Sequence, residues 1–214
     1  MADLCETINA DITALSEGIG LDKRIGSAFL KAGPGFGGSC FPKDILALKH
    51  VAKKANCECL ILDAVIAANT NRPYNIINKI ASIVGGSLIG KNLAILGLTY
   101  KAGTDDIRSS PAIELINLLK KSKVNIKAYD PKGMPNVSKY FKDLECTDTV
   151  ISAATMADAI IIVTEWPEFK ELDFKQIKSV LRDPIIIDLR NIIDTNKLKG
   201  LGYKYYSIGK KNES

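Results

Sequence analysis

The chain has a single histidine, and its five cysteines (Cys5, Cys40, Cys57, Cys59, Cys146) are odd in number and follow no framework spacing. A lone His50 offers no partner set for zinc, and Cys57-Glu58-Cys59 is too tight for the usual zinc pair, so no metal is expected. Unpatterned cysteines argue against a disulfide framework and point to a reducing cytoplasm. No apolar run approaches the ~18–20 residues needed to cross a bilayer. The opening Met1-Ala2-Asp3-Leu4-Cys5-Glu6 lacks the basic-then-apolar layout of a signal peptide, so no membrane partner is expected either.

What remains is the balance of a globular chain: 214 residues, 46% hydrophobic and 25% charged. The formal net charge of +5 suits an anionic partner, either nucleic acid or a phosphorylated small molecule. Its lysines decide between them. Lys53-Lys54, Lys120-Lys121-Lys123 and Lys210-Lys211 are scattered at helix ends and turns without interleaved aromatics, which excludes a nucleic-acid stripe.

The most unusual stretch is residues 31–44, where Gly33, Gly35, Gly37 and Gly38 crowd a Ser39-Cys40 pair and Pro42 opens a helix. Glycine at this density lets the backbone take φ > 0 and come close to a ligand, a freedom that no ordinary core segment requires. Pro42 suits a first helical turn, and Ile45, Leu46 and Leu48 follow at helical spacing, so Cys40 is predicted just before a helix N-terminus. The partial positive charge there favours thiolate over thiol, and Cys40 reads as an activated nucleophile. Gly33 to Gly38 also satisfies G-x-G-x-x-G, but no β-branched strand precedes it, and the match is read as accidental.

Along the chain, Leu4, Ile8, Ile12 and Leu15 predict one amphipathic helix over 2–18, ending at Gly18. It starts abruptly, with no capping residue ahead of the pattern. Helices are expected at 43–55 and 60–82, the second with Pro73 as the place where it could bend. Residues 1–84 thus read as a helical linker module carrying the cysteine loop, with Gly85-Gly86-Ser87 as the boundary. Over 85–214 the pattern changes. Apolar runs at Leu93–Leu96, Val124–Ala128, Ala159–Val163, Pro184–Ile187 and Tyr203–Ile208 alternate with helical segments near 111–122, 149–157 and 174–182. Continuous apolar strands separated by helices imply an α/β fold, a Rossmann-like doubly wound parallel sheet. Ser110 and Pro111 should cap and start the first crossover helix. Asp130 follows the second strand as the ribose-gripping acid of a dinucleotide fold would. Gly97-Leu98-Thr99-Tyr100-Lys101-Ala102-Gly103 lacks the spacing to seat a pyrophosphate, however, so Asp130-Pro131 is read as a turn.

Gly35-Phe36-Gly37-Gly38-Ser39-Cys40-Phe41-Pro42-Lys43-Asp44 resembles the active-site signature of the UDP-glucose/GDP-mannose dehydrogenase family, in its UDP-glucose 6-dehydrogenase branch. Three stretches agree with it: Gly18 to Gly26, Gly97 to Lys101 with Thr104 to Arg108, and Asp188-Leu189-Arg190. The resemblance covers essentially the whole chain but leaves the family's N-terminal NAD-binding domain, and the early turns of its central helix, without a counterpart. It implies oxidation of a sugar C6 alcohol to a carboxylate in two hydride transfers to NAD. In that scheme Cys40 is the nucleophile and Asp44 orients the thiol or a water, although Asp44 reads equally well as an acid offsetting the helix dipole. The resemblance makes Arg24, Lys31, Gly33, Gly35, Phe36, Gly37, Tyr100, Lys101 and Arg190 contacts of UDP-glucose or UDP-glucuronate. It assigns Lys43 and Arg108 to NAD, which is held mainly by the missing domain. A homodimer or a separate N-terminal half is the implied partner. A chain with these parts alone is not expected to turn over. The residues leave room for a UDP-N-acetylhexosamine relative, a UDP-sugar-binding module or an inactive remnant.

Overall fold

The computed structural model describes residues 1–210. The last strand lies within them, but Lys211 of the terminal lysine pair lies outside.

Residues 2–18 do not form the single helix that their apolar period predicts. They fold as α1 (Ala2–Ile8) and α2 (Ile12–Gly20), parted where Asn9 takes a left-handed conformation at φ 58 and Asp11 caps the second helix through Thr13 N. Asparagine tolerates this backbone, and an N-cap carboxylate starts a new helix at once. The stripe is split accordingly: Cys5 and Ile12 are buried, whereas Leu4 and Ile8 face outward. Helices α3 (Phe41–Lys54) and α4 (Leu60–Ile83) follow, and α4 runs unbroken through Pro73. Its C-terminal half drives Ile76, Ile80 and Val84 into the core of the sheet that follows.

That sheet consists of β1 (Asn92–Leu96), β2 (Asn125–Tyr129), β3 (Glu145–Cys146), β4 (Ala159–Ile162), β5 (Ile185–Asp188) and β6 (Lys204–Ser207). All pairings are parallel, in the order β3-β2-β1-β4-β5-β6, so the order reverses between β1 and β4. The crossovers carry α5 (Pro111–Lys121), α6 (Met134–Tyr140), α7 (Val150–Ala154) and α8 (Phe174–Val180). Alternate residues of each strand face opposite layers, as the pleat requires. Leu93, Ile95, Ile161 and Ile187 pack with α4 and α5. Ala94, Leu96, Ile160, Ile162 and Ile186 pack with Trp166, Phe169, Phe174 and Ile177 on the other side. Both faces are therefore covered, which is why the strands read as unbroken apolar runs. Ser110 and Pro111 start α5 as expected, the Ser110 hydroxyl accepting from Ala112 N at 3.2 Å.

The two ends of the described chain meet. Lys79 of α4 donates to Glu6 and to the Ser207 carbonyl, both at 2.6 Å, and the Glu6 carboxylate also accepts from Gly209 N at 2.7 Å. Ile12 N closes the junction on the Gly209 carbonyl at 2.8 Å.

Candidate functional site

The glycine loop lies across the carboxyl ends of the strands, the place where doubly wound sheets bind ligands. Five residues seat it: Arg108, Tyr100, Ser109, Arg190 and Asn69. Gly38 N donates to the Arg108 carbonyl at 3.1 Å. A Cβ at Gly38, whose φ is +90, would come 2.9 Å from the Tyr100 ring, and one at Gly37 would overlap the Ser109 carbonyl oxygen. A Cβ at Gly33 would meet Arg190 Nη1 at 3.2 Å. Asn69 of α4 clamps Phe36 from the far side, accepting from its N–H at 2.9 Å and donating to its carbonyl at 3.2 Å, and leaves no room for a side chain at Gly35. The loop needs glycine for close approach to the loop after β1 and to Arg190 after β5, which the sequence alone did not place beside it.

Cys40 is exposed and stands at the N-cap of α3, its Sγ 3.7 Å from Ser39 Oγ. Phe41 packs edge-on against Phe36, with centroids 4.9 Å apart. Asp44, one turn on, donates its backbone N–H to the Cys40 carbonyl while its carboxylate pairs with Lys43 at 3.2 Å in solvent. Arg108 faces this corner. Its guanidinium charge is held up first by the hydrogen bonds it donates to Asp106 and by that carboxylate's charge, and the neighbouring Cys40 and Tyr100 act in the same direction. The same Asp106 carboxylate, gripped by Arg108 Nε and Nη2, falls below the usual range. Lys101 lies over the Tyr100 ring with its Nζ 5.4 Å from the centroid.

Arg190 is the most enclosed cation of the group. Burial pushes its guanidinium below the usual value, opposed by the charges of Glu165 and Asp188, and an arginine remains charged under such a shift. Its Nε donates to the Val163 carbonyl at 2.8 Å. Glu165 Oε2 also lies 3.0 Å from that nitrogen, but the single N–H is already spent, so this buried oxygen is in charge contact without a hydrogen bond. No hydrogen bond engages the Arg190 Nη atoms among the described residues, which leaves them free to donate toward the loop.

Cys40, Phe36, Tyr100, Arg108, Arg190 and Gly33, Gly35 and Gly37 are therefore gathered on one side of the sheet. Arg24 is not among them: it is fully exposed, and its charge is held by the Asp22 carboxylate two residues back. Lys31 is exposed on the approach to the loop. Asp130 is committed elsewhere, since its carboxylate accepts from backbone and side-chain donors on both oxygens and leaves nothing for a ribose. A Cβ at Gly97 would lie 2.5 Å from Thr164 Cβ, so the turn after β1 is closed against its neighbour as well. The residues of this sheet do not form a dinucleotide cradle. Asn69 and Glu165 were missed by sequence reasoning. An asparagine in a helix and a glutamate after a strand carry no pattern that marks them.

An open cleft of about 520 Å³ lies beyond Arg108, lined also by Asp105, Asn136, Lys139 and Tyr140. No group of three or more potential metal ligands stands together among the described residues, and no described helix is long and apolar enough to cross a membrane.

Two family models match. Residues 1–71 match the UDP-glucose/GDP-mannose dehydrogenase family central domain, and residues 94–195 match the UDP binding domain of the same family. A UDP-glucose 6-dehydrogenase of Rickettsia felis is 54% identical over 213 residues, covering 99% of this chain and 48% of the relative. A UDP-glucose dehydrogenase structure from Pyrobaculum islandicum superposes with a TM-score of 0.85 at 29% identity, over 97% of this chain and 45% of that one. A structure of an NDP-N-acetyl-D-galactosaminuronic acid dehydrogenase from Methanosarcina mazei gives 0.84 at 25% identity, over 98% and 46%. The chain spans about half the length of the curated relatives it matches. With the central and UDP-binding domain models together accounting for most of its residues, the chain belongs to the UDP-glucose/GDP-mannose dehydrogenase family.

Proposed function

We propose that this chain supplies the thiol and the sugar-nucleotide site of an NAD-dependent UDP-glucose 6-dehydrogenase, the oxidoreductase activity that its Rickettsia relative is named for. One observation carries the reading: an exposed cysteine at a helix start, on a glycine loop seated over the strand ends beside Arg190 and Tyr100. Arg190, with free Nη donors, and Lys101 would hold the diphosphate or the uronate, since guanidinium and ammonium groups are the usual partners of such anions. Tyr100, Phe36, Lys31 and the backbone at Gly33, Gly35 and Gly37 would line the sugar nucleotide, whereas Arg24 stands apart from them, paired with Asp22.

In the second oxidation the Cys40 sulfur forms a bond to the C6 aldehyde, giving a thiohemiacetal whose oxygen takes the thiol proton. Loss of hydride and a proton leaves a thioester, and water cleaves the C–S bond to release the carboxylate and restore the thiol. NAD supplies the hydride acceptor when bound; since this sheet has no cradle for it, it would be held by the length of the relatives that this chain does not span, with Lys43 and Arg108 reaching it from the rim. Asp44 would orient the thiol or a water. The implied partners are UDP-glucose and UDP-glucuronate, a second copy of the chain or an NAD-binding half. The five free cysteines suit a reducing cytoplasm.

The test adds UDP-glucose and NAD to the chain alone and to the chain mixed with the NAD-binding half of the Rickettsia felis relative, following the absorbance of reduced cofactor. Turnover only in the mixture supports the reading. Binding of UDP-glucose without turnover in either case favours the simpler binding module, and no binding overturns both.

A further inference from the structure

Two buried aspartates flank the point where the strand order reverses. Asp130 follows β2 and Asp188 ends β5, so each stands one strand outward from the β1/β4 pair. They are 1% and 0% exposed, and neither is in a salt bridge among the described residues. A buried carboxylate is costly unless donors surround it, so what surrounds these two shows what they are for.

Asp130 Oδ2 accepts from Leu98 N at 2.7 Å, Thr99 N at 3.1 Å, Thr99 Oγ1 at 3.2 Å and Trp166 Nε1 at 3.0 Å. Its Oδ1 accepts from Lys132 N and Gly133 N. One carboxylate thus ties the loop after β1, immediately before Tyr100 and Lys101, to the loop after β4. Asp188 does the same on the other flank. Its Oδ1 accepts from Arg190 N at 2.9 Å, and its Oδ2 from Ile192 N at 2.8 Å, Ile193 N at 2.9 Å and the Tyr205 hydroxyl at 2.9 Å. Burial and the Asp188 charge push the Tyr205 phenol far up, which keeps it a donor.

We propose that Asp130 and Asp188 are positioning residues for the sugar-nucleotide site, each holding the backbone of one loop so that Tyr100 with Lys101, and Arg190, meet the ligand in fixed register. The proposal rests on the functional reading above. It assigns the two carboxylates separate wards: Asp130, through Trp166, governs the Lys101 side, and Asp188, through Tyr205, governs the Arg190 side. Preorganised donors bind anions better than mobile ones because less order is lost on binding.

Calorimetry of the 214-residue chain with UDP-glucose tests this through Trp166→Phe and Tyr205→Phe, each of which keeps an aromatic ring in the core layer and removes one donor to one aspartate. Each should weaken UDP-glucose binding about fivefold, the scale of one ordinary hydrogen bond lost behind the site. Combination with Lys101→Met and Arg190→Met gives the decisive readout. Trp166→Phe should cost markedly less in the Lys101→Met chain yet keep its full effect in the Arg190→Met chain, and Tyr205→Phe should show the reverse. A merely structural role gives the same loss in every background, and that result overturns the proposal. If the phenylalanine variants bind as the unaltered chain does, the proposal also fails while the function stands. An unaltered chain that does not bind UDP-glucose overturns the functional reading, and the proposal with it.

Discussion

Gly38 lies flat against Tyr100, so close that a Cβ would sit 2.9 Å from the ring's Cε2, and its φ of +90 is one that side chains rarely adopt. Shape here links the cysteine loop to the loop after β1. Gly38→Ala must therefore strain the backbone and push Tyr100 aside together. The expected cost is about 1–3 kcal/mol of stability, measured by denaturant unfolding, with UDP-glucose binding lost more severely than stability. An alanine variant that unfolds and binds like the unaltered chain would refute the contact.

The cysteines differ in accessibility. Cys40 and Cys57 are exposed, whereas Cys5, on the inner face of α1, is 2% exposed. Alkylation of the folded chain, read by peptide mass spectrometry, should label Cys40 and Cys57 and spare Cys5 until denaturant is added. Saturating UDP-glucose should then protect Cys40 and leave Cys57 as reactive as before. Equal protection of both, or none, would separate Cys40 from the sugar site.

Acid should loosen the first helix. Burial raises the Asp3 carboxyl, but the hydrogen bond and charge of Arg72, with Asn75 and the amino terminus, outweigh it and hold the group below its ordinary 3.8. A carboxyl depressed in the folded state adds stability that is complete above its unfolded pKa and is lost as pH falls through the folded value. Hydrogen exchange across Ala2–Ile8, corrected for intrinsic rate, should show less protection at about pH 3 than at about pH 6, and Asp3→Asn should remove that difference. Protection that is independent of pH in the unaltered chain would contradict the linkage.

The covered sheet was legible because burial on both faces leaves strands such as Ala159–Ile162 apolar throughout, and the Ser110-Pro111 start of α5 because capping is local chemistry. The split at Asn9 was not. The apolar period runs straight across it, and a left-handed residue is a backbone state that periodicity does not record. Helix α6 was missed because Val137 is its only fully buried residue, and β3 because two residues hold no pattern. For the site, glycine density marked the loop, but the reason for each glycine lies in Tyr100, Ser109, Arg190 and Asn69, which the chain brings from afar. Asp130 looked like a turn residue, and only its six donors in space show it to be a junction between loops.

The most direct measurement is acid quenching of the chain during turnover with UDP-glucose, NAD and the NAD-binding half, followed by peptide mass spectrometry. The account predicts a UDP-glucuronyl thioester on the peptide containing Cys40, absent in Cys40→Ala, whose second oxidation should fall by about a thousandfold or more, as expected when a covalent nucleophile is removed. An adduct on another residue, or a Cys40→Ala enzyme that still delivers UDP-glucuronate at the unaltered rate, would contradict it.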